Sequence, residues 1–377
     1  MKKILRLISK MMLALLALVL IFVIIIAIFM NTAPQFGASV TGDKFENLIQ
    51  SPNYEDGTFQ NLVPTIMNEM ELEDLAGLMY DFLFNASEGS PQSPIPVAFG
   101  EGELATIDSI AYVTWFGHSA VLIEMEGKTI LIDPMLGPAS APVSFLTKRF
   151  HYEQPIEIEN LKNIDAVVLS HDHYDHLDYP TILKIQNEVK HFYTPLGLGE
   201  HLIKWGVDPD KIIQLDWWQS ASLGHMKLTA TPARHFSGRG FTDRNKTQWA
   251  SWVIKGKYNN IYFSGDGGYA DHFTNIGKEY GPFDFAMMEC GQYNTLWSKI
   301  HMTPEETVQA SIDVNTSLMM PIHWGAFKLA PHDWKDPIER VTKEADLKNV
   351  KITTPTIGER FAIKNPVLNN PWWEKVD

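Results

Sequence analysis

The sequence predicts an α+β protein in which two β-sheets lie face to face between outer helices, a four-layer αββα sandwich, preceded by one transmembrane helix. From Ile107 onward, short apolar segments of strand length follow one another in mixed order with helices between them, which is typical of packed sheets flanked by helices. Residues 11–30 form a charge-free apolar run. At 377 residues, the chain is long enough to bury a large core.

The first 30 residues have the composition of a membrane anchor. Residues 1–10 contain Lys2, Lys3, Arg6 and Lys10 and no acid. The twenty residues that follow would span about 30 Å as a helix, which is the thickness of a bilayer core. A cleaved signal peptide is the alternative, but its apolar region is usually only about 7–15 residues long. We therefore expect an uncleaved single-pass anchor, with a cytoplasmic N-terminus and the body of the protein on the extracytoplasmic side.

Charge and cysteine content exclude several classes of protein. The net charge is −14, and the positive N-terminal segment makes the remaining chain more acidic still. Such a body repels phosphate backbones, so we expect no nucleic-acid partner. The single cysteine, Cys290, excludes a disulfide framework and a cysteine-rich zinc module. It follows an apolar strand and is expected to be buried. Nothing in the composition favours a particular oligomeric state.

Residues 31–104 are expected to form a lead that precedes the main domain. Residues 31–63 have the composition of an extended loop, and residues 85–96 (NASEGSPQSPIP) that of a polar connector. From Thr65 to Phe84, apolar side chains recur at helical spacing, which predicts a helix packed on the main domain. A helix lying on a lipid surface is the alternative, and its acidic polar face argues against it. The apolar positions are Met67, Met70, Leu72, Leu75, Leu78, Met79, Phe82 and Leu83.

The main domain is expected over residues 105–365, followed by a C-terminal tail at 366–377. The segments AYVTWF, AVLIEM and TILID predict its first strands, and EGK at 126–128 predicts a hairpin turn. Further strands are predicted at DAVVLS, MKLTATPA, IYFSG and LMMPI. In TPEE, Thr303 is followed by Pro304 and then by Glu306, which predicts a capping box at the start of a helix.

Side chains of the types that bind metals follow four of these strands. His171 comes after DAVVLS, His235 after MKLTATPA, Asp266 after IYFSG and His323 after LMMPI. A rigid strand that carries a ligand at its end positions that ligand accurately. We therefore expect these four residues to meet at one metal centre.

The stretch SHDHYDHLD predicts that this centre holds two ions. Residues two apart in an extended segment point the same way, so His171 and His173 are expected to bind one ion together. Asp175 and His176 lie on the following turn and are expected to bind the other. The first set of ligands is His171, His173 and His235, the second is Asp175, His176 and His323, and Asp266 bridges both ions.

Imidazole and carboxylate ligands that leave a position open for water are typical of a catalytic zinc site. We expect two zinc ions per chain, with iron or manganese as the alternatives.

The quoted motifs resemble those of the metallo-β-lactamase superfamily. SHDHYDHLD matches its H-x-H-x-D-H signature, and TILIDP resembles its early aspartate motif, which implies a supporting role for Asp133. Within the superfamily, the chain is similar to the branch of the N-acyl-phosphatidylethanolamine phospholipases D over most of residues 34–360. The segments TWFGHSAVLIEM, HDHYDHLD, FSGDGGY and HMTPEETVQASIDVNTSLMMPIHWGAF carry this similarity. The resemblance implies the metallo-β-lactamase fold for residues 105–365 and hydrolysis of a phosphodiester.

A pair of metal ions would supply the nucleophile for such a reaction. Water bound to zinc ionises near pH ~7 rather than ~15.7, and a hydroxide held between two ions can attack phosphorus or a carbonyl carbon. Asp175 and Asp266 are expected to help hold this hydroxide. Guanidinium groups bind phosphate in a fork geometry, so one of Arg234, Arg239 and Arg244 is expected to bind the substrate; pairing with surface acids is the alternative.

Three further residues are expected beside the metals. His118, in WFGHSA, is expected to line the pocket or support a ligand, with a purely structural role as the alternative. His301 matches the family pattern H-x-x-P-E-E, which favours a place in the substrate pocket over simple entry into a helix. Asp178 lies two residues after His176 and is expected to orient a ligand histidine.

Together these features predict a membrane-anchored hydrolase that cleaves a phospholipid or another small phosphodiester. Three alternatives are considered. A lactonase or β-lactamase-like enzyme would attack a carbonyl with the same metals, and the arginines disfavour it. A nucleic-acid phosphodiesterase is disfavoured by the acidic body. A non-catalytic binding protein would lack some ligands, whereas all seven are present.

Overall fold

A long N-terminal helix leads into a domain built on two β-sheets. The computed structural model describes residues 2–39, 48–65, 73–74, 76–78, 80, 89–100, 107–368 and 370–377. Within them, the α-helices are α1 (Lys2–Thr32), α2 (Tyr179–Ile185), α3 (Gly199–Lys204), α4 (His272–Tyr280), α5 (Pro304–Asp313) and α6 (Asp336–Lys348).

The strands of the described residues fall into a short hairpin and two larger sheets. The hairpin pairs β1 (Tyr54–Glu55) with β2 (Thr58–Phe59). The others are β3 (Tyr112–Trp115), β4 (Val121–Met125), β5 (Lys128–Ile132), β6 (Ile164–Val168), β7 (Val189–Pro195), β8 (Ile212–Leu215), β9 (Ser220–Leu223), β10 (Met226–Thr231), β11 (Ser251–Lys255), β12 (Asn260–Phe263), β13 (Phe285–Glu289), β14 (Met319–Ile322) and β15 (Arg360–Ala362).

Each large sheet is mixed. The seven-stranded sheet has the order β15-β3-β4-β5-β6-β7-β8, antiparallel from β15 to β5 and parallel from β5 to β8. The six-stranded sheet has the order β14-β13-β12-β11-β10-β9, parallel from β14 to β12 and antiparallel beyond. In both sheets, parallel strands end on the same edge, and that edge carries the candidate site.

Alternation along the strands explains the layers. In β6, Val168 faces the core between the sheets, whereas Val167 packs with α2 and α3 on the outside of the seven-stranded sheet. Side chains of α4, α5 and α6 bury against the six-stranded sheet, among them Phe273, Val308 and Ile338. The sheets therefore lie between two helical layers, as the sequence predicts.

Several local predictions are confirmed. β4 and β5 form the hairpin around EGK, whose Glu126 and Gly127 have φ of 53° and 72°, as a tight hairpin turn requires. Thr303 and Glu306 form a complete capping box, and Cys290 is buried. The predicted helix over residues 65–84 and the boundary at residue 104 lie largely outside the described residues, although 73–74, 76–78 and 80 are helical.

Helix α1 has the length and composition of a membrane span. Its mean hydropathy is 3.5 over the most apolar window, which is not buried against the rest of the chain. A signal sequence has the same properties, so the finding stands as one N-terminal apolar helix.

Candidate metal centre

The site forms where strands of both sheets end. His171 lies three residues beyond β6 of the seven-stranded sheet. His235, Asp266 and His323 follow β10, β12 and β14 of the six-stranded sheet. The Trp252 indole donates a hydrogen bond to the Leu169 carbonyl over 3.0 Å and thereby joins the two sheets beside the site.

Three histidines converge on one point, and we call them the three-histidine cluster. Nδ1 of His173 lies 2.9 Å from Nε2 of His171 and 3.2 Å from Nε2 of His235. Nitrogen atoms this close, with no acid among them, have the spacing of ligands around one ion.

Asp175, His176 and His323 form a second group, the mixed cluster. Oδ2 of Asp175 lies 3.5 Å from Nε2 of His176 and 3.4 Å from Nε2 of His323. His118 joins this cluster, with its Nε2 2.9 Å from the same oxygen and its ring 4.2 Å from that of His323. The sequence places His118 in the pocket or in support, and here it contacts the Asp175 carboxylate directly.

Asp266 lies between the two clusters. Its Oδ2 is 3.0 Å from Nε2 of both His176 and His323 in the mixed cluster. The same oxygen is 3.8 Å from Nε2 of His171 and 3.9 Å from Nε2 of His235 in the three-histidine cluster. One carboxylate oxygen therefore faces donor atoms of both groups.

Burial and mutual charge strongly perturb these side chains. Burial and the charges of neighbouring histidines lower the pKa of both His171 and His235 well below the usual value. Burial also disfavours the charged form of His323, but the carboxylates of Asp266, Asp175 and Glu289 together outweigh burial and raise the pKa of His323 to about 10. Although burial raises the pKa of Asp266, His176 and His323 hold it well below its usual range. The carboxylate is therefore ionised and facing nitrogen donors.

The donor set fits metal ions. Oδ1 of Asp266 is buried and has no hydrogen-bond partner among the described residues. Nε2 of His176 and Nε2 of His323 are also buried, and although each lies 3.0 Å from Oδ2 of Asp266, neither contact has the geometry of a hydrogen bond. A buried polar atom without a partner is costly, and a cation between the clusters would satisfy all three. Each cluster brings its donor atoms within 4.8 Å of one another. The partly exposed members are His173, Asp175 and His301, so access to the centre lies on their side.

Asp133 supports the mixed cluster. Its Oδ2 is 2.7 Å from Nδ1 of His176 and accepts a hydrogen bond from the Ser170 hydroxyl. Its Oδ1 accepts from the Ser170 backbone N–H over 2.7 Å. These contacts fix the ring of His176 and direct its Nε2 into the site.

Asp178 differs from the expectation that it orients a ligand. Its Oδ2 accepts hydrogen bonds from the backbone N–H and the hydroxyl of Thr181, so it caps the N-terminus of α2. Among the described residues it makes no hydrogen bond with a histidine. The reason is local: Pro180 in the first turn starts a helix, and that helix needs an acceptor at its N-cap.

Glu289 and Asn61 were not singled out from the sequence. Glu289 ends β13, is fully buried and lies with Oε1 2.5 Å from Nδ1 of His301. Burial raises its pKa, and His301 opposes that shift. Asn61 accepts from the His235 backbone N–H over 3.1 Å and donates to the His235 carbonyl over 2.8 Å. The position of Glu289 at a strand end was the available signal; Asn61 had none.

The three arginines have different surroundings. Arg234 donates to the Tyr269 and Pro64 carbonyls and to the Thr65 hydroxyl. Arg239 is buried and donates to three backbone carbonyls, those of Gln35, Asp172 and Leu177. Both therefore hold the fold together.

Arg244 is linked to the metal ligands through an aromatic ring. Its guanidinium is 4.1 Å from the centre of the Phe236 ring. That ring lies 4.4 Å from the ring of His173 and 4.8 Å from that of His235.

Comparisons with known proteins agree with this geometry. Residues 128–324, more than half of the chain, match the family model described as the beta-lactamase superfamily domain. An uncharacterized protein of Mycobacterium tuberculosis is 42% identical over 328 residues, which cover 86% of this chain and 88% of that protein. An N-acyl-phosphatidylethanolamine-hydrolyzing phospholipase D of Caenorhabditis elegans is 32% identical over 270 residues, which cover 67% of this chain and 76% of the nematode protein.

A solved structure shares the fold. A metallo hydrolase from the archaeon Ignicoccus hospitalis matches with a TM-score of 0.52 at 22% identity, covering 67% of this chain and 98% of the archaeal chain. The predicted metallo-β-lactamase fold is thereby confirmed.

Proposed function

Because the chain belongs to the metal-dependent hydrolases of the β-lactamase superfamily, we propose that it uses two metal ions to cleave a phosphodiester bond of a phospholipid. The observation that carries the proposal is the position of Asp266, whose Oδ2 faces the mixed cluster at 3.0 Å and the three-histidine cluster at 3.8–3.9 Å. A carboxylate in that position is suited to bridge two ions.

The residues would divide between the ions as their distances suggest. The three-histidine cluster would hold one ion, the mixed cluster the other, and Asp266 both. Zinc suits this donor set, and iron and manganese are the alternatives. When bound, such ions lower the pKa of water to near neutrality and stabilise charge on substrate oxygens.

The protein side chains have separate tasks. Asp133 fixes His176, and Asn61 fixes the backbone of His235. His301 lies at the open side, its ring 5.1 Å from that of His235, and buried Glu289 holds it by Nδ1. It is therefore placed to donate a hydrogen bond to a substrate oxygen or to the leaving group.

Phosphodiester cleavage is favoured over carbonyl hydrolysis by the relatives and by Arg244. The nematode relative is a phospholipase D that hydrolyses N-acyl-phosphatidylethanolamine. Arg244, stacked on Phe236 beside His173, is the arginine suited to bind a phosphate. Helix α1 would anchor the enzyme in the membrane that contains its substrate, with the catalytic domain on the extracytoplasmic side.

Turnover of four substrates by one preparation tests the reaction. A bis-aryl phosphodiester and an N-acyl-phosphatidylethanolamine should be hydrolysed, whereas a lactone and a cephalosporin should not. Arg244→Ala should lower phosphodiester turnover by about tenfold, the effect of one lost charge-assisted hydrogen bond of about 1.5 kcal/mol. Arg360→Ala, which removes an arginine paired with Glu124 on the outer strand β15, is the matched control. Faster turnover of the lactone than of either phosphodiester would refute the assignment.

Metal content tests the binuclear centre separately. Elemental analysis of the purified protein should give about two ions per chain, and Asp266→Asn should lower that number. One ion or fewer in the unsubstituted protein would overturn the two-ion proposal without affecting the fold.

A further inference from the structure

The chain that leaves helix α1 is bound tightly to the catalytic domain. We call residues 33–38 the juxtamembrane segment. The carbonyl of Gln35 accepts a hydrogen bond from Nε of Arg239 over 2.9 Å, and its side chain donates to the Pro142 carbonyl over 2.8 Å. The Trp205 indole donates to the Pro34 carbonyl over 2.7 Å. The exit of α1 is therefore fixed relative to the domain.

The juxtamembrane segment contacts the loop that carries the metal ligands. The ring of Phe36 lies 5.5 Å from that of Phe29 in α1 and 6.3 Å from that of Tyr174, edge to face in both cases. Tyr174 lies between His173 and Asp175 in the sequence. We call residues 171–176, which carry four of the candidate ligands, the ligand segment. Aromatic contacts thus join the end of the apolar helix to this segment.

A second path runs through polar side chains. The Ala38 backbone N–H donates to Nδ1 of His201 over 2.8 Å. Nε2 of His201 lies 3.2 Å from the Asp172 carboxylate, which lies between two ligand histidines in the sequence. Both paths place the ligand segment close to the point where α1 meets the domain.

Exposed apolar side chains flank the same point, and we call Phe145, Leu146 and Phe241 the apolar rim. They are 70%, 50% and 87% exposed. Phe145 lines a groove of about 450 Å³ together with Phe29 and Gln35. Phe241 lies two residues after Arg239, which donates to the Gln35 carbonyl. The rim therefore lies beside the base of α1.

We infer that the apolar rim lies in the interface of the bilayer that α1 crosses, so that the ligand segment is held at the level of the lipid headgroups. Phe29 belongs to the apolar run of α1, and a side chain that shares a groove with it lies at the depth where that run ends. Aromatic side chains are favoured at this depth. The inference rests on the anchoring part of the proposed function and not on the reaction.

The composition of the domain favours a lipid surface recognised by apolar contact. The chain is strongly acidic outside its first residues, so electrostatic attraction to anionic lipids would not stabilise the contact of the domain with the bilayer. Entry of Phe145 and Phe241 into the interface would remove their exposed apolar surface from water, which is favourable. The contact should therefore persist with uncharged phosphatidylcholine and at high salt.

Fluorescent labels on introduced cysteines test the inference in the full-length protein. Because Cys290 is buried, the label should react with the introduced cysteine in Phe145→Cys and in Phe241→Cys. Leu347→Cys on α6 is the matched control, because Leu347 and Phe145 are equally exposed at 70%. Val19→Cys in α1 reports insertion of the helix. Each labelled protein is reconstituted in phosphatidylcholine vesicles that contain a nitroxide lipid.

The rim labels should be quenched by the nitroxide lipid at least about twofold more than the Leu347 label, and less by aqueous iodide. Equal quenching of the rim and Leu347 labels, with the Val19 label quenched by lipid, would overturn the rim and leave the anchor intact. Protection of the rim labels from both quenchers would mean that a second copy covers the rim, which also overturns the inference. A Val19 label open to iodide would overturn anchor and rim together. None of these readouts depends on turnover, so they are independent of the proposed reaction.

Discussion

Replacement of Asp133 by asparagine should weaken metal binding by changing the tautomer of His176. The Asp133 carboxylate accepts from the Ser170 backbone and hydroxyl and lies 2.7 Å from Nδ1 of His176. Because both oxygens of Asp133 act as acceptors, the proton of His176 stays on Nδ1. The lone pair of Nε2 can then bind a metal ion. An asparagine has one acceptor oxygen, so its NH₂ group must replace the other.

The size of the effect follows from this geometry. If the amide oxygen keeps the Ser170 backbone N–H, the NH₂ group faces Nδ1 of His176. That histidine then carries its proton on Nε2, the nitrogen that points at Asp266 over 3.0 Å. Loss of such a supporting carboxylate usually lowers metal affinity about 10–100-fold, which corresponds to about 1.4–2.8 kcal/mol.

Chelator competition measures this prediction. Metal content is followed by elemental analysis as each variant is dialysed against buffers of decreasing free zinc. Asp178→Asn is the matched control, because Asp178 is also buried and also accepts from a neighbouring hydroxyl, yet it caps α2. Asparagine caps helices about as well as aspartate, so this variant should keep its affinity. Equal affinities for Asp133→Asn and the unsubstituted protein would refute the reasoning about His176.

Three further predictions concern stability. Asn61→Leu should lower the free energy of unfolding by about 2 kcal/mol, because two hydrogen bonds to the His235 backbone contribute about 1 kcal/mol each; a loss below about 0.5 kcal/mol in urea titrations would contradict this. Burial, aided by Arg234, lowers the pKa of His272 from 6.5 to about 3, so His272 destabilises the folded state as the pH falls below 6.5. Between pH 7 and pH 5, the free energy of unfolding of His272→Phe should therefore rise by about 2 kcal/mol relative to that of the unsubstituted protein. Parallel curves of unfolding free energy against pH for the two proteins would contradict this prediction. Removal of metal by a chelator should lower the thermal midpoint, since an ion at about 100 times its Kd adds about 2.7 kcal/mol; an unchanged midpoint in calorimetry would contradict binding at this centre.

The sequence predicts the meeting of the ligand candidates because strand ends are local features with a shared destination. His171, His235, Asp266 and His323 each follow an apolar strand, and parallel strands end on one edge of a sheet. The same rule applies to Glu289, the last residue of β13, although Glu289 is not among the residues predicted for the site. A strand-end acid therefore merits the same attention as a strand-end histidine.

Other parts of the site depend on contacts that have no local pattern. Asn61 reaches His235 across 174 positions of sequence, and nothing around Asn61 indicates that contact. Arg239 looks like a phosphate ligand in sequence, but its donors serve backbone carbonyls, which a pattern of residue types cannot reveal. Asp178 did have a local signal, since a proline two residues later marks a helix start.

The backbone at the mixed cluster explains why its geometry is so specific. Asp133, His118 and His323 have φ of 39°, 54° and 70°, in the left-handed region that costs a non-glycine residue about 1–2 kcal/mol. Two of these positions are tied to each other, because the His323 backbone N–H donates to the His118 carbonyl over 2.9 Å. The Asp133 N–H donates to the carbonyl of Val168 at the end of β6.

Glycine at any of these three positions would relieve the backbone strain but would remove a side chain from the mixed cluster or its support. By contrast, the members of the three-histidine cluster have no left-handed backbone among the described positive-φ residues. Strain is therefore concentrated where Asp133, His118 and His323 must turn sharply from their strands to face His176 and Asp175. Because the hydrogen bonds of the surrounding backbone hold these turns in place, the donor atoms of the mixed cluster are positioned by the fold before any ion binds.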